Sequence, residues 1–224
     1  MRHIHHPEVV PAMVLPDTLF FPRSLLPVYL FEPHYLEMLD ELLEGDRWLA
    51  VLGAFPLPEE TRISPAGLRV HTLGMVTAAQ RHEDGTCTLL LEGICRVQVL
   101  ECLHNRVFPQ IRIRDCENGA CSEACLCAMR REVLDLLLAM QADGMPLPPM
   151  IPDALKGIRS PETFIDHAIV ALVEPMAMKE SMLALPDPSR RFAFLIRSLQ
   201  RQRNRFQFLN LWVPSMDRER IRNN

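Results

Sequence analysis

Residues 14–39 read VLPDTLFFPRSLLPVYLFEPHYLEML, and this stretch decides the fold. Val28, Leu30 and their neighbours are apolar, while Pro22 and Pro27 cut the run into short extended pieces. Proline cannot donate to a ladder, so it belongs at strand ends, edges or bulges. Pro33 then stands where a first helical residue should, its φ already set for a helix. Tyr35, Met38, Leu39 and Leu42 follow at i, i+3, i+4 and i+7, one apolar face. Glu37, Asp40, Glu41 and Glu44 take the other face, and Gly45 is a natural stop. The stretch predicts extended strands leading into a helix of about three turns that packs on a sheet.

Working outward, residues 9–115 read mainly as β. Leu49–Leu52 is a short apolar run of the kind a buried strand shows. Residues 68–77 are β-rich, with Gly74 marking a bulge or a close backbone approach. Asp84-Gly85 is a strong hairpin dipeptide. Residues 88–91, 96–100 and 108–114 read as further short strands, and this spacing predicts a small barrel or sandwich.

Beyond residue 117 the pattern turns helical. Ser122 predicts an N-cap for a helix to about Gln141, and Gly144 stops it. Residues 145–152, MPLPPMIP, read as a Pro-rich connector that cannot be helical. Ser160-Pro161-Glu162 predicts the cap and first turn of a new helix. A short helix is expected over residues 178–185. Asp187-Pro188 repeats the cap signal before a last long helix bearing Phe192, Leu195, Ile196 and Leu199. The fold class is thus α+β, with a β-rich unit at 9–116, a helical unit at 117–210 and a basic tail at 211–224.

The 224 residues are 48% hydrophobic and 23% charged, ordinary for a chain with a real core. No apolar run approaches the ~18 residues of a membrane helix. The N-terminus MRHIHHPEVVPAM lacks a secretory pattern. A cytoplasmic protein with no membrane contact is expected, its seven cysteines reduced. Residues 189–224 hold nine Arg against Asp217 and Glu219, a net of +7; since the whole chain carries −4, residues 1–188 carry −11. Such a segment is either an anion-binding patch or an intramolecular clamp.

Three blocks resemble the Lon N-terminal domain, the substrate-recognition module of the ATP-dependent Lon proteases. The first runs from Phe21-Pro22 through Phe31-Glu32-Pro33-His34-Tyr35. The second joins Gly74 through Asp84-Gly85 to Gly93 and Arg96. The third is Asp187-Pro188-Ser189-Arg190-Arg191. Together they cover roughly residues 9–202. The resemblance implies a PUA-like β pseudobarrel followed by a helical bundle, and it implies that these motif residues organise the fold. Two positions depart from the family: His34 stands where Arg is usual, and Arg23 where Gly is usual. The second matters if the backbone there needs φ > 0.

No G-x-x-x-x-G-K-[ST] segment cradles a phosphate in this sequence, and no Ser–Lys pair sits in a matching context. Catalysis, cofactor and metal are not expected. The reading is a stand-alone recognition module that binds polypeptide segments or a protein partner, through a groove between the two units or at a strand edge. The sequence assigns no ligand-contacting residues; residues 28–35 read as organising the fold. The alternative is an RNA-binding module, since PUA-like folds include RNA binders. Arg197, Arg201, Arg203 and Arg205 would contact phosphates, and Phe206, Phe208 and Trp212 would offer stacking surfaces.

Cys116, Cys121, Cys125 and Cys127 are spaced C-x4-C-x3-C-x-C, a poor match to zinc-binding pairs. The plainer reading is small apolar residues at a helix start, and metal binding by the four stays open. Cys121, close to a helix N-terminus, is expected to have a lowered pKa. His3, His5 and His6 read as a solvated terminus.

Overall fold

The computed structural model describes residues 5–16, 18–53, 70–103, 105–116, 121–147 and 151–222; for residue 152 and residues 211–222 it describes the backbone alone. His3, Met150, the break at 117–120 and the side chains of Trp212, Arg218, Arg220 and Arg222 lie outside this set. Two compact units form, one from residues 1–118 and 174–186, the other from 119–173 and 187–224.

The first unit is built on six strands: β1 (Val9–Val14), β2 (Leu25–Leu30), β3 (Trp48–Leu52), β4 (Val70–Arg81), β5 (Cys87–Leu103) and β6 (Gln110–Asp115). Their order is β2-β5-β4-β3-β1-β6, and β6 pairs back onto β5, which closes a near-barrel ring. The β1–β3 pair is parallel; the other pairs are antiparallel. The two strands expected over 88–91 and 96–100 are one 17-residue strand. One edge of β5 pairs with β4, while the other changes partner along its length. Residues 87–92 pair with β2 and residues 97–103 with β6.

Helix α1 (Pro33–Glu44) lies where the sequence placed it and buries Met38, Leu39 and Leu42. They pack in one core with Phe20, Val28, Leu30, Leu89, Leu91 and Phe108. Each such burial contributes about 1.5–3 kcal/mol. Tyr35 lies partly against this core, and its hydroxyl oxygen accepts the Val14 amide at 3.2 Å, tying α1 to β1. Helix α5 belongs to this unit and spans Met176–Leu183, two residues earlier than expected.

Five of the motif residues, Phe21, Pro22, Gly74, Gly93 and Arg96, lie near the point where β5 changes partner. Phe21-Pro22-Arg23-Ser24 forms a tight turn, the Ser24 amide donating to the Phe21 carbonyl at 3.2 Å. Gly93 donates to the Ser24 carbonyl at 2.9 Å and accepts the Arg23 amide at 2.8 Å. The Arg96 guanidinium lies 5.7 Å from the centre of the Phe21 ring and donates to the Leu183 carbonyl at 3.1 Å. Gly74 sits at a bulge, and a Cβ there would stand 2.7 Å from the Phe20 ring.

Arg23 has φ 65°, the left-handed region. Proline second in the turn and positive φ third are the features of a type II turn, which prefers glycine there. A side chain in that conformation costs about 1–2 kcal/mol, of which glycine's extra freedom in the unfolded chain offsets about 0.5–1 kcal/mol. The Arg23–Glu92 pair, 3.9 Å apart and largely exposed, compensates little. Arg23→Gly is therefore expected to stabilise the β unit by about 0.5–1 kcal/mol. Urea unfolding followed by the fluorescence of Trp48, buried in β3, measures this, and an unchanged or lower midpoint contradicts it.

The second unit holds α2 (Glu123–Ala142), α3 (Ile151–Lys156), α4 (Pro161–Leu172) and α6 (Pro188–Arg222). Three caps behave as their residue types require. Ser122 accepts the Cys125 amide, Ser160 accepts the Thr163 amide, and Asp187 accepts the Ser189 amide at 2.8 Å. Helix α3 corrects the expectation of a non-helical connector: Ile151 and Pro152 open it, and a first-turn proline loses no intrahelical bond. The core is apolar stripes of α2, α4 and α6, including Val133, Leu137, Phe164, Ile165, Phe192 and Leu195.

Candidate functional site

β2 is LLPVYL, and its two faces have different fates. Val28 and Leu30 are buried against α1 and the core. Leu25, Pro27 and Tyr29 point outward, and Phe31 follows them into solvent. Leu25 is 61% exposed, Tyr29 53% and Phe31 64%. An antiparallel strand with one solvated face normally shows polar residues there. An exposed apolar cluster is the exception that calls for a reason.

The strand register extends the cluster sideways. Leu25 stands opposite Glu92, Pro27 opposite Leu90 and Tyr29 opposite Thr88. Leu90 in turn faces the exposed Ala78 of β4. Leu25, Pro27, Tyr29, Leu90 and Ala78 thus form an apolar outer face across β2, β5 and β4. Among the described residues β2 pairs with β5 alone, and no described strand pairs with its other edge. Free edges accept an added strand.

The aromatic end of this face is held in place. The Tyr29 hydroxyl donates to Thr86 Oγ1 at 2.9 Å, and that hydroxyl donates to Asp84 Oδ1 at 2.6 Å. The Thr86 hydroxyl and amide, both donating to Asp84, hold its carboxyl below the usual range. Gly85, with φ 85°, closes the hairpin turn that presents both residues. The Tyr29 ring lies 6.1 Å from the His82 ring and 6.4 Å from Phe31. Pinned aromatics lose little freedom when a ligand covers them.

The sequence reading assigned none of these contacts, and it treated Phe31 as an element of the fold. The signal for them is the absence of any charged residue from Leu25 to Phe31, too apolar for an edge strand with a wet face even with Pro27 inside it. Glu32 precedes α1 without a side-chain cap and lies 3.4 Å from His34, whose ring packs against Tyr35 with centroids 4.1 Å apart.

Among the described residues of α6, Arg197, Arg201 and Arg205 are exposed at i, i+4 and i+8, while Arg203 is engaged within the helical unit. Arg203 donates to Asp143 at 2.6 Å, and Gln207 joins the same carboxylate at 2.9 Å. That hydrogen bond, with the guanidinium's charge, holds the Asp143 carboxyl low. Arg203 also borders a shallow groove of about 570 Å³ lined by Arg131, Glu132 and Asp135, whose acids oppose phosphate. Arg197 donates to Ala193 in its own helix. Arg201 and Arg205 are exposed, as is Phe208, while Phe206 is half-buried.

Cys121 corrects its expectation. A hydrogen bond with Cys125 raises its pKa, and the carboxylate of Asp187 adds to this. Cys121, Cys125 and Cys127 do not form a three-ligand group; among the described residues such side chains converge at His6, Cys95 and Asp115.

The domain family described as the ATP-dependent protease La (LON) substrate-binding domain matches residues 9–201. The Lon protease of Trichlorobacter lovleyi is 23% identical over 186 residues, covering 83% of this chain and 23% of that protein. The Lon protease of Xanthomonas oryzae is 24% identical over 196 residues, with 85% and 23% covered. The chain therefore spans about a quarter of the length of these curated relatives. The N-terminal domain of Mycobacterium avium complex Lon protease has a similar fold, with TM-score 0.61 and 15% identity, over 86% of this chain and 98% of that one. A Lon N-terminal domain protein from Xanthomonas campestris gives 0.57 and 15%, over 84% and 97%.

Proposed function

Because the chain belongs to the family of LON substrate-binding domains, we propose that it binds extended apolar polypeptide segments on the outer face of β2, β5 and β4. Leu25, Tyr29 and Phe31 are the anchors. The observation that carries this reading is the apolar, aromatic outer face of an edge strand. An extended segment laid along β2 would pair with its outer edge and set side chains against Tyr29 and Phe31. Pro27 removes one donor from the strand, which keeps copies of β2 from pairing freely with each other. The reading assigns recognition without cleavage, and localisation in the cytoplasm is part of it.

Fluorescence anisotropy with a labelled, permanently unfolded casein tests it. The Tyr29→Ser, Phe31→Ser double variant is expected to bind about 30-fold more weakly, the loss of an interface hot spot of about 2 kcal/mol. Its thermal midpoint should fall only slightly, since both side chains are largely exposed and the Tyr29–Thr86 hydrogen bond that is lost lies at the surface. Binding by the parent should persist in high salt. An unchanged affinity in the double variant overturns the assignment. A steep loss of casein binding with salt would mean that charge and not the apolar face holds the segment; a labelled single-stranded RNA bound in its place, with affinity falling steeply in salt, would favour nucleic acid on the arginines of α6 instead.

A further inference from the structure

We propose that His6, Cys95 and Asp115 form a binding site for a borderline divalent cation of the zinc class. Strand register brings them together. β1 and β6 pair with Val9 opposite Arg112, so continuing the register sets His6 opposite Asp115. β5 and β6 pair with Val97 opposite Asp115, which places Cys95 diagonally across from that carboxylate. The ligating atoms of all three lie within 4.8 Å of one another.

The surroundings of His6 call for a cation. Its side chain is only 8% exposed and packs edge-on against Trp48 at 6.2 Å. Nδ1 lies 2.9 Å from the Pro7 carbonyl, and Nε2 lies 2.6 Å from Asp115 Oδ1. Both ring nitrogens thus face oxygen acceptors. A neutral imidazole has one proton and satisfies one of them. At 2.6 Å a second proton fits between Nε2 and the carboxylate; a metal ion would take its place once the two atoms part to roughly 3.3 Å, as two bonds of about 2 Å to one tetrahedral ion require.

With a metal, Nδ1–H keeps its bond to Pro7 and turns Nε2 toward the ion, as a ligating histidine requires. An imidazole, a thiolate and a carboxylate suit zinc, with a fourth position left for water. Asp115, 54% exposed, gives the ion a way in. Burial pushes the Cys95 thiol up to about 12, so binding must release that proton to solvent.

The test is titration of the chelator-treated full chain with Co²⁺, followed by displacement with Zn²⁺. One equivalent of Co²⁺ should give a near-ultraviolet thiolate-to-metal charge-transfer band together with the visible bands of a four-coordinate site. Loss of a bond that supports a ligand costs about 10–100-fold in affinity, so loss of a ligand is expected at about 100-fold or more. His6→Gln and Cys95→Ser should each show it. The Cys121→Ser, Cys125→Ser, Cys127→Ser triple variant should bind like the parent. His6 lies ahead of β1, so His6→Gln decides the matter even if Cys95→Ser misfolds. Absence of the thiolate band, its survival in His6→Gln, or its loss in the triple variant would each overturn the proposal.

Discussion

Asp166→Ala is expected to destabilise the helical unit by about 3–5 kcal/mol, the cost of stripping one partner from a buried ion pair. Asp166 on α4 and Arg191 on α6 form that pair, with side chains 5% and 2% exposed. The same two helices also meet through the buried, stacked rings of Phe164 and Phe192, centroids 6.0 Å apart. The pair itself need not stabilise much, because desolvating two charges cancels most of their attraction. The asymmetry lies in what a single substitution leaves behind: a buried guanidinium without its carboxylate. Asp166→Leu with Arg191→Met removes both charges and should recover most of the loss. Denaturant unfolding followed by far-ultraviolet circular dichroism reports on the helices. A single-variant cost under about 1 kcal/mol would mean that water reaches the pair and that its Coulomb attraction is screened as at a surface.

Local signals were legible where one or two residues decide the backbone. Ser160-Pro161 and Asp187-Pro188 start helices because a short acceptor caps them and proline needs no amide there. Asp84-Gly85 turns the chain because glycine takes φ 85° freely. The family likeness carried the fold class, which periodicity alone left between barrel and sandwich. The same proline rule misled at Ile151–Pro152, where the penalty applies to helix interiors and not to first turns.

What could not be read depends on register. Asp166 and Arg191 are 25 residues apart, and neither signals the other. His6 meets Asp115 only because β1 and β6 are paired as they are. The compact cysteine spacing after residue 116 drew attention to metal chemistry, yet the three-ligand convergence uses Cys95 in a strand. The outward face of β2 was hidden for a related reason. An apolar run does not reveal which of its faces is covered, and edge position follows from topology, not composition.

Gly93→Ala is expected to cost the β unit about 3 kcal/mol or more, the upper end of overpacking. A Cβ at Gly93 would stand 2.2 Å from the Phe21 carbonyl oxygen and 3.1 Å from the Pro22 Cα. Those are backbone atoms of a turn that is itself hydrogen-bonded to Gly93 on both sides, so no side chain can rotate away. Gly85 makes the comparison: a Cβ there meets nothing within 4 Å, so Gly85→Ala carries only the left-handed penalty of about 1–2 kcal/mol. Space, rather than φ, sets the cost at Gly93. The damage should also spread in a defined direction. The turn ends at Ser24 and β2 begins at Leu25, so pushing the turn off β5 moves the start of the proposed binding face. Urea unfolding followed by Trp48 fluorescence should show the loss, and the surviving folded protein should bind unfolded casein less well than the parent. Parent-like stability in Gly93→Ala would mean that the turn does not press on β5, and the placement of β2 and its outer face would fall with it.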